Sequence, residues 1–194
     1  MSAILSEIDF VTLQSVDPTF IIELPYATLN NFTHTLIYDR HTKAYLRRPV
    51  AEALARAQQQ FKTYQLGLKI WDAYRPFHIQ QLLWQHCPDE RYVMKPIEEN
   101  GQMVAGSAHN RGCAVDLTLI DLQTGLEVEM PSLFDDFSCA AHRDYMECSV
   151  KAIQNRKLLE DVMTACGFIG LPTEWWHFTW HAAEEYPLCD LPPV

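Results

Sequence analysis

The stretch SAHNRGCAVDLTLI, from Ser107 to Ile120, is where the reading of this chain turns. Its second half, CAVDLTLI (Cys113 to Ile120), reads as a strand from its apolar and β-branched content. The first half is polar and closes on Gly112, where a turn lets the chain double back into the strand. His109 on the turn and Asp116 on the strand can then face one centre.

Other segments assemble around this one. FIIEL (Phe20 to Leu24) is a short strand ended by Pro25, and GLKIWDAY (Gly67 to Tyr74) and EWWHFTW (Glu174 to Trp180) are further strands. DLQTGLEVEM places a turn at Thr124-Gly125, followed by another extended piece. Pro49 opens a helix in which Val50, Leu54, Ala57 and Phe61 recur at helical spacing. Pro76 starts a second that runs to His86, with Ile79, Leu82 and Leu83 on one face. A third covers Val150 to Cys166, with Gly167 as its C-cap. Pro88 to Gly106 shows no period and reads as a long functional loop. Helices and strands mix without a βαβ rhythm, so the expected class is α+β, a mainly antiparallel sheet flanked by helices. A chain of 194 residues and 22.4 kDa is read as one domain, residues 1–194. Its 48% hydrophobic content is enough to fill such an interior.

Fifteen Lys and Arg against 25 Asp and Glu give a formal charge of −10, which repels phosphate backbones and anionic lipid surfaces. Nucleic-acid and membrane-surface roles are therefore disfavoured. No apolar run reaches the ~20 residues of a membrane span, and MSAILSEIDF lacks the pattern of an export signal. The expectation is a soluble cytoplasmic protein. Six cysteines without a framework spacing read as free thiols.

Two further motifs carry chemistry. EWWH sets Glu174 three residues before His177 among aromatic side chains, and WDAYRP places Arg75 at the end of a strand. Two histidines and a carboxylate, here His109, His177 and Asp116, are a recurrent ligand set for catalytic zinc, with the fourth position left to water. The remaining Glu174 is then free to act as a base, and Arg75 could stabilise an oxyanion. Plainer readings stand beside these: a capping or surface role for each His and Asp, core packing for Trp175 and Trp176, a solvated Glu174, and a structural pair between Arg75 and Asp72. Cys139, His142 and Cys148 suggest a structural zinc but lack a fourth ligand at any regular spacing.

Taken in order, WDAYRP, SAHNRGCAVDLTL and EWWH resemble the D-alanyl-D-alanine dipeptidase family, zinc peptidases that cleave free D-Ala-D-Ala. PYATLNNFT (Pro25 to Thr33), MPSLFDDF (Met130 to Phe137) and QNRKLLEDVMTACGF (Gln154 to Phe168) extend the resemblance over nearly the whole chain. It implies the fold shared by zinc D,D-peptidases and hedgehog signalling domains. It also implies one zinc per chain, with His109, Asp116 and His177 as ligands, Glu174 as general base, and Arg75 polarising the scissile carbonyl. By position it makes Asp135 and Tyr26 the holders of the substrate ammonium, places Ser107 at the carboxylate, and adds Tyr38 to the substrate site. His34 stands where the family often has Gly. The implied partner is the small dipeptide, with a homodimer left open. Two other functions compete: a D,D-carboxypeptidase of the same superfamily acting on peptidoglycan stem peptides, and a non-catalytic zinc binding module of the hedgehog kind. The presence of both Glu174 and Arg75 favours the enzyme.

Overall fold

The computed structural model describes residues 9–193. In chain order its elements are β1 (Phe10–Thr12), α1 (Leu13–Val16), β2 (Ile21–Ile22), β3 (Tyr45–Arg47), α2 (Arg48–Lys62), β4 (Leu66–Asp72), α3 (Phe77–His86), β5 (Ile97–Glu99), β6 (Gln102–Ala105), β7 (Ala114–Asp121), α4 (Val150–Ala165), β8 (Phe168–Leu171) and β9 (Glu174–Trp180). A five-stranded sheet in the order β2-β4-β7-β9-β8 is antiparallel at every pairing except β2 with β4. The expected α+β class and mainly antiparallel sheet are what the chain forms.

Strand β7 is central, and its residues from Ala114 to Ile120 are all buried, which is why an almost unbroken apolar run was needed there. Val115, Leu117 and Leu119 join Leu68, Ile70 and Phe178 of the neighbouring strands in the main hydrophobic cluster. Each such side chain contributes roughly 1.5–3 kcal/mol when fully buried. Helix α2 packs on β4, and α4 packs on β7 and β8. Asp116 interrupts the apolar run, opposite Asp72 on β4 and His177 on β9. Directly opposed residues project to the same face of a sheet, so one register setting gathers all three. At Trp71 a bulge sets two residues of β4 against one of β7, and this is what brings Asp72 into line with Asp116.

Three expectations are corrected. FIIEL shrinks to the two-residue β2, because beyond it only the Glu23 amide still reaches β4, at the Ile70 carbonyl, before Pro25 turns the chain. The piece after Thr124-Gly125 is no strand; it makes a single bridge, Glu127 to Ile120. Within the supposed loop from Pro88 to Gly106, β5 and β6 form a hairpin around Asn100-Gly101, both at positive φ (51° and 77°). That is the backbone a two-residue hairpin turn requires. The β1–β3 ladder and β8 also form where no strand was expected.

The six cysteines form no disulfide. Among the described residues no helix is long and apolar enough to cross a membrane.

Candidate metal centre and active site

Ser107 caps a single 3-10 turn, Ala108–Arg111, with its hydroxyl accepting from the His109 amide at 3.2 Å. Asn110 returns the contact to the Ser107 amide at 2.8 Å, a reciprocal cap that fixes the turn. The Asn110 side chain also donates to the Arg75 carbonyl, and the Arg75 amide donates to the His109 carbonyl. These bonds lace WDAYRP to SAHNRG. Gly112 leaves the turn at φ 71°, and a Cβ there would fall 2.2 Å from the Phe10 ring. Only glycine satisfies both the left-handed backbone and the missing space.

This turn points His109 at β7. Its Nδ1 donates to the Ala73 carbonyl at 2.7 Å, which leaves Nε2 as the free donor atom of the ring. His109 Nε2 lies 3.2 Å from His177 Nδ1 and 3.3 Å from Asp116 Oδ2, and His177 Nδ1 lies 3.0 Å from Asp116 Oδ1. His177 is oriented in turn by Thr179, whose hydroxyl meets its Nε2 at 2.9 Å. Among the described residues this is the one His/Cys/Asp/Glu group close enough to share an ion, and Cys139, His142 and Cys148 form no such group. Zinc bonded at 2.0–2.1 Å in a tetrahedron separates its ligand atoms by about 3.3 Å. One ligand atom from each of His109, Asp116 and His177 lies within 4.8 Å of the others, Asp116 meeting His109 through Oδ2 and His177 through Oδ1, a cluster compact enough to close on one such ion.

Charge at the centre follows from burial and proximity. Burial opposes ionisation of Asp116, yet the adjoining His109 and His177 hold its carboxyl far below the usual range. Burial also holds His177 below the ordinary imidazole value, although Asp116 pulls the other way; the neutral ring is the form that binds metal. Glu174, the first residue of β9, is 6% exposed, and its carboxylate accepts no hydrogen bond from the described residues. Burial first, then the charges of Asp116 and Asp135, raise its carboxyl well above the usual range.

The three histidine and aspartate side chains and Glu174 open on a pocket of about 380 Å³ that Arg75, Ser107, Tyr26 and Asp135 also line. Arg75 donates through Nε and Nη2 to Asp72 Oδ2, at 2.9 and 2.7 Å, and through Nη1 to Gln80 Oε1 at 2.7 Å. Its Nη2 stands 3.8 Å from Asp116 Oδ2. The pair with Asp72 foreseen as the plain alternative therefore exists, and among the described residues two of the five N–H groups have no acceptor. Tyr38 does not line the pocket: its hydroxyl donates to Asp72 Oδ1 at 2.7 Å, and it reaches the site only through Arg75. Asp72, Gln80 and Thr179 went unmarked as site residues, since none sits in a recognisable chemical spacing and each acts by orienting another side chain.

Asp135 holds a left-handed backbone (φ 56°) without being glycine, as does His34 (φ 54°), where the resembled family often has Gly. Such a conformation costs roughly 1–2 kcal/mol. In Asp135 it delivers the carboxylate to Tyr26, whose hydroxyl donates to Oδ2 at 2.9 Å. Burial, and after it the charge of Asp116, pushes the Asp135 carboxyl up to about 8. An unfolded chain ionises Asp near 3.9, so between about pH 4 and 8 the folded state holds a proton that the unfolded state has lost. Stability must therefore fall as pH rises through that window and level off above it. Asp135→Asn removes the dependence, and its gain in Tm for the metal-free protein is expected to grow from pH 5 to pH 8. Melts showing the same gain at pH 5, 6.5 and 8 would mean that Asp135 titrates as an ordinary carboxylate.

A family model described as D-Ala-D-Ala dipeptidase matches residues 6–188 of the chain. The D-alanyl-D-alanine dipeptidase of Escherichia coli (strain K12) is 38% identical over 180 residues, covering 93% of this chain and 89% of that one. The enzyme of the same name from Enterococcus faecium is 31% identical over 196 residues, covering 93% and 95%. Among solved structures, VanYB in complex with D-alanine-D-alanine aligns with a TM-score of 0.43 at 13% identity over 73% of this chain and 75% of that one, too loose a likeness to bear on the site. The match runs through all three motifs and the segments between them, and by it the chain belongs to the D-Ala-D-Ala dipeptidase family of M15 metallopeptidases.

Proposed function

We propose that this enzyme hydrolyses the free dipeptide D-Ala-D-Ala to two D-alanines, using one zinc ion per chain held by His109, Asp116 and His177. The observation that carries the reading is the buried cluster of His109, Asp116 and His177, whose ligand atoms lie within 4.8 Å of one another, beside a buried Glu174 carboxyl with no hydrogen-bond partner among the described residues. Bound there, zinc would lower the pKa of a water molecule from 15.7 to roughly 7 and polarise a carbonyl as a Lewis acid.

The chain's own residues supply the rest. Glu174 takes a proton from the attacking water and returns it to the departing nitrogen as the C–N bond breaks, so one water and one dipeptide give two amino acids. Arg75, held by Asp72 and Gln80, offers its two unengaged N–H groups to the oxygen that gains charge. Tyr26 occupies one oxygen of Asp135 and leaves the other for the substrate ammonium. The Ser107 oxygen accepts from the His109 amide, so its O–H is available to the substrate carboxylate. Tyr38 supports the arrangement from behind, through Asp72.

The direct test incubates purified, metal-analysed protein with D-Ala-D-Ala, its L,L counterpart and a pentapeptide ending in D-Ala-D-Ala. Cleavage of the first alone is the expected result, and no cleavage of it would sink the reading. Alanine at His109, Asp116 or His177 should lower metal content and activity together, because each supplies one of only three protein ligands. Full zinc occupancy after dialysis in all three variants, by elemental analysis, would refute the ligand set.

A further inference from the structure

The outer wall of the pocket is built by a strap, residues 90–94, between α3 and β5. Three hydrogen bonds tie this strap to the three other parts of the site. The Thr173 hydroxyl, one residue before Glu174, donates to the Arg91 carbonyl at 3.2 Å. The Tyr92 hydroxyl donates at 2.8 Å to the carbonyl of Phe137, two residues after Asp135, and the two rings lie 4.8 Å apart. Gln80 makes the third tie, to the Met94 carbonyl at 2.7 Å through Nε2, while its Oε1 accepts from Arg75 Nη1 at 2.7 Å.

Gln80 is fully buried in α3. Its two contacts fix which way the amide faces, since a flipped amide would turn an NH2 group toward the guanidinium and an oxygen toward a carbonyl. Either mismatch would leave buried polar atoms unpaired. One side chain thus sets the Arg75 guanidinium at a defined distance from the pocket wall. Among the described residues neither Asp72 nor Tyr38, which also bear on Arg75, hydrogen-bonds to the strap.

We propose that Gln80 is a positioning residue for the reaction, coupling the alignment of Arg75 to the placement of the strap 90–94 over bound substrate. The proposal rests on the assignment of D-Ala-D-Ala hydrolysis above. A displacement of about 1 Å in an aligned group can cost ~10²-fold in rate.

Gln80→Met keeps the bulk of the side chain and loses both contacts. In the metal-loaded enzyme it should lower kcat on D-Ala-D-Ala about 10- to 100-fold, with KM within about threefold and Tm down by a few degrees, since an Arg75 N–H and the Met94 carbonyl lose their partner. Gln80→Glu keeps the acceptor for Arg75 but sets an oxygen against the Met94 carbonyl, so it should recover only part of the kcat loss while strap exchange stays as fast as in Gln80→Met. In an Arg75→Ala background, Gln80→Met should cost less than about twofold more, because its effect passes through Arg75. Independently of activity, amide hydrogen exchange across residues 90–96 should quicken in Gln80→Met. A Gln80→Met enzyme with wild-type kcat, a full additive loss in the Arg75→Ala background, or a Gln80→Glu enzyme with wild-type kcat despite fast strap exchange would each overturn the proposal. If the wild-type protein leaves D-Ala-D-Ala intact, the functional reading fails, while unchanged exchange in the strap would separately overturn the tie.

Discussion

Glu174→Gln is expected to give a folded, metal-loaded protein whose kcat on D-Ala-D-Ala is lower by 10²–10⁴-fold, the range for loss of a general base. The wild-type carboxyl is buried and has no hydrogen-bond partner among the described residues, and burial with the charges of Asp116 and Asp135 outweighs what Arg75 and Arg143 give back, so the fold gains nothing net from its charge. Replacing it by a neutral group of the same shape removes the cost of holding a carboxylate near Asp116 and Asp135, and Tm should hold or rise. The chemical loss has a definite origin: an amide cannot take the proton that the attacking water must give up. Metal content should stay at the wild-type level, since Glu174 stands outside the ligand cluster. This separates it from His109, Asp116 and His177, where metal and activity fall together. A Glu174→Gln enzyme with wild-type kcat would assign the base elsewhere.

How far the sequence discloses such a site depends on what kind of signal each residue leaves. Strands β4, β7 and β9 were legible because burial forces apolar runs, and the polar residues interrupting the last two, Asp116 and His177, stand out against that background. Gly112 was legible as a turn, while the Phe10 ring that excludes any other residue there appears only in the fold. The hairpin β5–β6 left no such trace. Its strand residues are exposed or half-buried, so no inside-outside alternation marks them, and only the dipeptide Asn100-Gly101 announced a turn. The bulge at Trp71 could not be read either, because register belongs to the pairing of two strands and not to one segment. Gln80 shows the remaining gap. On α3 it reads as an ordinary helical glutamine, and its importance appears only when the fold places Arg75 on one side of it and Met94 on the other.

Free D-Ala-D-Ala is expected to be hydrolysed at least a thousandfold faster, in kcat/KM, than N-acetyl-D-Ala-D-Ala or a wall pentapeptide with the same ending. The reason lies in Asp135. Its carboxyl sits in a pocket that raises it to about 8, so an ionised Asp135 is costly unless a cation arrives to pair with it. A substrate ammonium supplies that cation and gains a charge-assisted hydrogen bond, with Tyr26 holding the second carboxylate oxygen in place. An acetylated amine brings no charge and leaves Asp135 either protonated or buried without a partner, a difference of several kcal/mol. At about 1.4 kcal/mol per factor of ten, three orders of magnitude need only ~4 kcal/mol. Asp135→Ala should narrow the gap by slowing the free dipeptide far more than the blocked one, whereas an effect through general loss of structure would slow both alike. Equal kcat/KM on the free and acetylated dipeptides in the wild-type enzyme would reject the clamp, and would make a carboxypeptidase acting on longer stem peptides the better reading of this pocket.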